Sequence, residues 1–208
     1  MKKKIGIILA SLVLVMGIVL ALTKAHHSSS SLMAEWGMKL RDFAGGKEEQ
    51  DTSKVYAQGE HATVTQDEIE QAKQFFITSG LSESEAEEKA ISYSMEREAM
   101  YEKALQEGYD VTDEEVDEYL NELKSMMSTA ENKTDIEVLI SQFDSEEEYW
   151  QYQKEVYRKN LPIQKYVSDL QQQYDGNGQE TDTADEWNHY LEQYKTKVVQ
   201  EENYIVTK

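Results

Sequence analysis

The segment Ile91–Leu123, ISYSMEREAMYEKALQEGYDVTDEEVDEYLNEL, dictates helix, sharp turn, helix. Ile91, Met95, Ala99, Tyr101, Ala104 and Leu105 recur at three- and four-residue steps, an apolar stripe along one helix. Gly108 stands where a helix closes on a left-handed residue, which glycine adopts without a Cβ clash. Thr112 opens the next helix: its hydroxyl accepts the Glu115 backbone N–H, and Glu115 reaches back to the Thr112 N–H. Val111 and Val116 flank the cap at hydrophobic-staple spacing. A turn specified at this many points sets where one helix ends, where the next begins and how they meet.

The same Ser/Thr-x-x-Glu signature recurs at Thr65…Glu68, Ser82…Glu85, Thr134…Glu137, Ser145…Glu148 and Thr183…Glu186. Each pairs two orphaned backbone donors and puts an acid at the positive helix end. The six starts predict helices over 66–79, 83–107, 113–129, 135–142, 145–174 and 184–200. In the fourth, Ile136, Leu139 and Ile140, with Phe143 beyond it, are apolar. The fifth is the longest. Pro162 inside it predicts a kink near Asn160, because proline removes a ladder bond and crowds the preceding turn. The last, with Trp187, Tyr190, Leu191 and Tyr194, is expected to fold back onto the long one. With one proline and abundant Glu, Gln, Lys and Ala, the expected fold class is all-α. Its one addition is a small two-stranded sheet: Lys54–Val64 reads as strand and turn, and the β-prone Asn203–Thr207 is predicted to pair with Val55–Gln58.

The N-terminus is of another kind. Residues 1–4 are a basic tail, and Ile5–Thr23 is nineteen residues without a charge. That length spans about 28 Å as helix, close to the roughly 30 Å hydrocarbon core of a bilayer. It is long for a signal peptide, and Lys24 spoils the small-x-small cleavage pattern around Thr23 and Ala25. The expectation is an uncleaved transmembrane signal anchor over 5–23; a cleaved peptide is the alternative. The basic flank belongs in the cytoplasm, so the remainder is expected outside, on a single-pass cell-membrane protein. Residues 24–53 read as a polar linker in which Trp36, Met38, Leu40 and Phe43 form a short amphipathic segment for the bilayer surface. The helical domain then covers 54–208.

Charge and motifs exclude several classes. The formal net charge is −20, which argues against nucleic acid, whose phosphates need Lys and Arg. Cysteine is absent, so disulfides and thiolate metal sites are excluded. No G-x-S-x-G, P-loop, H-E-x-x-H or Gly-rich nucleotide turn occurs, and no catalytic residue, metal or cofactor is expected. The acidic runs Glu85-Glu87-Glu88, Asp113–Glu115 and Glu146–Glu148 sit in first helical turns, where the helix dipole accounts for them. His189 reads as a surface histidine.

The stretch Tyr101–Tyr119, Y-x-x-A-x-x-x-G-Y-x-V-T-D-E-E-V-D-x-Y, resembles the N-terminal chaperone domain of the SurA/PrsA family of extracytoplasmic foldases. The resemblance covers roughly Val55–Asp169, with a weaker echo at the C-terminus. Its match at Ala57–Thr65 is loose: Gln58 stands where the family's V-N-G pattern has asparagine. The resemblance implies a multi-helix chaperone domain. PrsA-like members insert a parvulin prolyl-isomerase domain before a final helix, whereas this chain has only the short loop Asp175–Asp182 there. The implied protein is therefore a non-enzymatic holder of unfolded or newly secreted polypeptides. An adaptor whose helical domain docks one envelope partner is the alternative, and a homodimer is left open. Thirteen Tyr, three Trp and eight Met supply candidate contact surface. Tyr149, Trp150, Tyr152, Tyr157 and Tyr166 crowd one helix, too many for one stripe, so some are expected to face outward or into a groove. Met126 and Met127 end the helix expected opposite. Met126, Met127, Tyr149, Trp150, Tyr152 and Tyr157 are the candidate polypeptide-binding residues: Tyr offers area at low entropy cost and Met repacks. Packing residues of the core would have the same composition.

Overall fold

The computed structural model describes residues 29–45, 54–176 and 184–207. Along these residues the chain runs α1 (Ser29–Gly45), β1 (Val55–Gln58), β2 (Thr63–Thr65), α2 (Gln66–Thr78), α3 (Glu83–Gln106), α4 (Asp113–Ser128), α5 (Lys133–Ile140), α6 (Glu146–Gly176), α7 (Ala184–Glu201) and β3 (Ile205–Val206). The class is mostly helical with a small three-stranded sheet, where all-α with two strands was expected. No helix among the described residues is long and apolar enough to cross a membrane. The expected anchor Ile5–Thr23 lies outside them.

Three capping boxes close as expected. Thr65 Oγ1 accepts the Glu68 N–H at 3.3 Å, and the Glu68 carboxylate accepts the Thr65 N–H at 3.0 Å. Ser82–Glu85 and Thr112–Glu115 repeat the arrangement at the starts of α3 and α4. Ser145 accepts the Glu148 N–H at 3.1 Å, but the Glu148 carboxylate reaches the N–H of Asp144 rather than of Ser145. Thr134 is no cap: α5 begins one residue before it, with Asn132 as an N-cap that makes no side-chain bond. The Lys133 N–H already bonds to the Ala130 carbonyl, so the preceding turn runs straight into the helix. Thr183 lies outside the described residues. At the end of α3, Gly108 takes φ +87°, and the N–H groups of Gly108 and Tyr109 bond to the carbonyls of Leu105 and Ala104, both at 3.0 Å. That pair is a Schellman closure.

The chain divides into two compact units, neither continuous in sequence. One holds α1, α4, α5 and α6 up to Asn160; the other holds the sheet, α2, α3, α6 from Leu161 and α7. The stretch 54–208 expected as a helical domain contributes to both units, and α1 belongs to the first. α6 passes from one to the other, and Pro162 lies inside it without ending it.

In the first unit, the stretch read as a linker contains the 17-residue α1, which packs on α5. Met33, Trp36 and Leu40 are buried, at steps of three and four along one face. Met38 is exposed, because two residues past Trp36 turn it to the other side. Of the four residues assigned to a bilayer, Trp36 and Leu40 are therefore covered by protein, and Phe43 is half-buried. Gly37 allows the close approach: a Cβ there would overlap the Leu139 carbonyl and press on Gln142.

In the second unit, β1 is the central strand, antiparallel to both neighbours, with Ala57 opposite Val64 and Val206. The pairing of the C-terminal strand with Val55–Gln58 forms, and β2 adds the third strand. The core joins Ala57 and Val64 to Ile69, Ala72 and Ala90, with Phe76, Tyr93 and Tyr204 against it. α7 packs on α3, where Lys195 meets Glu96 at 3.1 Å. Its rings meet α6 through Tyr174–Trp187 and Tyr166–Tyr194.

Candidate functional site

In the first unit, the last turns of α4, all of α5 and the first turns of α6 line an open groove of about 400 Å³. Its floor is apolar. Met127, Ile136, Phe143 and Trp150 are buried, and Ile140 is half-buried. Its rim is polar: Lys124, Ser128, Lys133, Glu137, Ser141 and Glu146 are exposed. The arrangement follows from local sequence. Met127 lies one turn past Leu123 on the buried face of α4, while Lys124 and Ser128 lie beside that face. Ile136 and Ile140 are one turn apart on α5, and Phe143 follows its last turn. Glu146 and Trp150 are one turn apart on α6.

Trp150 is held in place. Its indole N–H donates to Glu146 Oε1 at 3.0 Å, and the Lys124 ammonium lies 4.6 Å from its ring centroid. Tyr149 packs edge-on against it with ring centroids 5.0 Å apart, and Phe143 stands 5.3 Å from Tyr149. Lys133 pairs with Glu137 across one turn at 3.5 Å. The site offers apolar volume, one fixed indole and two carboxylates. Among the described residues, no group of His, Cys, Asp and Glu is placed to hold a metal ion.

No family model, curated protein or solved structure matches this chain.

The structure brings two of the six candidate residues, Met127 and Trp150, to the groove. Met126 is 48% exposed but points elsewhere on α4. Tyr149, Tyr152 and Tyr157 are buried in the core, where an outward or groove-facing position was expected for some of the crowd. The reason is coverage: Phe143 packs on Tyr149 and Tyr152, and Tyr119 of α4 packs on Tyr157 at 5.0 Å. Burial pushes the Tyr149 and Tyr157 hydroxyls well above the ordinary phenol range. α6 thus buries a face wider than one stripe.

Sequence reasoning passed over Ile136, Ile140, Phe143, Lys124 and Glu146 as site residues. The apolar run of α5 was visible, but its length of eight residues disguised it: a helix so short cannot cover both α1 and the groove floor completely. Leu139 serves α1, lying against Gly37, and Ile136 with Ile140 serves the groove.

Proposed function

We propose that this protein is a membrane-anchored, extracytoplasmic chaperone-like protein that holds apolar segments of unfolded or newly secreted polypeptides, without isomerase activity. The observation that carries the reading is the apolar-floored, polar-rimmed groove of Met127, Ile136, Ile140, Phe143 and Trp150. Such a slot accommodates one or two apolar side chains, and Met127 adapts to their shape. The resemblance of Tyr101–Tyr119 to SurA/PrsA chaperone domains points the same way, as does an anchor over 5–23 that sets the domain at the outer face of a cell membrane.

The adaptor reading draws on a different observation. Tyr149, Tyr152 and Tyr157 are withdrawn from the surface, so the apolar area offered is confined and suits one partner segment. One experiment separates the two. The full-length chain, reconstituted in lipid nanodiscs, is mixed with a chemically denatured, unrelated protein, and light scattering follows aggregation. The chaperone reading expects suppression near stoichiometry, loss of it in Ile140→Glu at unchanged helicity, and background rates of prolyl-peptide isomerisation. A folded wild type that leaves aggregation unchanged supports the adaptor instead.

A further inference from the structure

We propose that the groove selects apolar segments that also carry a basic residue, with Trp150 and Glu146 forming the subsite for that residue's cation. This rests on the polypeptide-binding reading above and narrows its substrate class. The Trp150 ring face already takes a cation, since the Lys124 ammonium lies 4.6 Å from its centroid. The indole N–H is bonded to Glu146, which brings a carboxylate to the edge of the same ring. An aromatic face beside a carboxylate attracts ammonium and guanidinium groups by quadrupole and charge together. Lys124 is exposed, and among the described residues it makes no ion pair, although the chain carries 41 acids against 21 bases. It is a stand-in that an incoming cation displaces at little loss. Of the other rim charges, Lys133 and Glu137 pair with each other at 3.5 Å, so a ligand carboxylate would meet the Glu146 carboxylate and the field of a protein of net charge −20. The floor of Met127, Ile136 and Phe143 takes the neighbouring apolar side chains.

The test is the binding of a labelled peptide, Gly-Ser-Arg-Leu-Phe-Leu-Arg-Ser-Gly, to the full-length protein in phosphatidylcholine nanodiscs, read by fluorescence anisotropy against empty nanodiscs. Versions with both arginines replaced by glutamine or by glutamate are run beside it, on wild type and Lys124→Gln. The arginine peptide is expected to bind roughly fivefold tighter than the glutamine peptide. Lys124→Gln, which removes the competing cation and keeps most of the stem, widens that ratio. Equal binding of arginine and glutamine peptides, or a ratio that Lys124→Gln leaves unchanged or narrows, overturns the cation subsite and leaves the polypeptide reading standing. A preference for the glutamate peptide that Lys124→Gln abolishes means that Lys124 reads a carboxylate, which also overturns it. No binding of any peptide removes the polypeptide reading itself. If the protein then sediments as a dimer that Ile140→Glu dissociates, the occupant is a second copy.

Discussion

The Glu202 carboxylate accepts the backbone N–H of Ala62 at 2.8 Å, across 140 positions of sequence. The same oxygen accepts the His61 N–H at 2.8 Å, and the Glu60 N–H donates to the Glu202 carbonyl at 2.8 Å. Glu202 is 5% exposed and follows the last turn of α7. It therefore serves as the anion for two donors that the tight β1–β2 hairpin leaves without strand partners. The hairpin and the C-terminal strand are locked together at one buried atom.

Glu202→Ala is expected to cost about 2–3 kcal/mol, because charge-assisted bonds are lost and the Ala62 N–H stays buried without an acceptor. Urea unfolding measures it, and hydrogen exchange should place the loss of protection at His61 and Ala62. A cost within about 0.5 kcal/mol, as at an ordinary surface site, contradicts the role given to this carboxylate.

Gly59→Ala is expected to destabilise by about 1–3 kcal/mol. A Cβ at Gly59 would stand 2.5 Å from the Glu202 carboxylate oxygen and 3.0 Å from the Tyr204 ring. The cost should shrink in a Glu202→Ala background, so a double-mutant cycle reads the pair directly. Additive costs would mean that the glycine is needed for another reason.

Thr112→Ala and Thr134→Ala separate a true cap from a look-alike. Thr112 closes a full box and its loss should cost about 1 kcal/mol. Thr134 is the second residue of α5 and caps nothing, so its replacement by alanine, the better helix former, should be neutral or slightly stabilising. Thermal unfolding of the two variants side by side is sufficient.

Gln153 is fully buried in α6, and neither its amide nitrogen nor its amide oxygen has a hydrogen-bond partner among the described residues. Gln153→Met keeps the length of the side chain and removes two stranded polar atoms. It should raise stability by about 1 kcal/mol. Destabilisation of that size would show that the amide is satisfied in solution.

Burial raises Tyr149 and Tyr157 above the ordinary phenol value of 10.0. A group whose folded value lies above its unfolded value keeps its proton in the fold while the unfolded chain loses it. Stability should therefore be level with respect to these groups below pH 10 and fall as pH rises beyond it. Phenolate absorbance should show some tyrosines ionising only together with unfolding. Smooth ionisation of all thirteen near the ordinary value, with the fold intact, would contradict their burial.

Local rules wrote most of the helices legibly. Where Ser or Thr is followed three residues later by Glu and preceded by a turn, the helix begins there, as at Thr65, Ser82 and Thr112. Thr134 matched the pattern and failed, because a backbone turn from Ala130 had already started the helix. The sheet was half legible: β-prone residues near both ends suggested the β1–β3 pair, but β2 is three residues long and carries little pattern. The site was the least legible part. Composition marks Tyr149, Tyr152 and Tyr157 as large and aromatic, but whether a ring meets a neighbour or solvent depends on Phe143 and Tyr119, which come from other elements. The same holds for α1, whose partner α5 lies some hundred positions away, as Arg41 reaching the Gln142 carbonyl illustrates.

The most direct measurement is site-specific photo-crosslinking to an unfolded client. A photoreactive p-benzoylphenylalanine replaces Ser141 on the groove rim in one sample and the exposed Glu88 of α3 in another. Both full-length proteins, in nanodiscs, are irradiated with a denatured, radiolabelled polypeptide. The account predicts covalent adducts from position 141 that excess apolar peptide suppresses, and at most background from position 88. Equal labelling at the two positions, or none at 141, would contradict the assignment of the groove as the polypeptide-binding site.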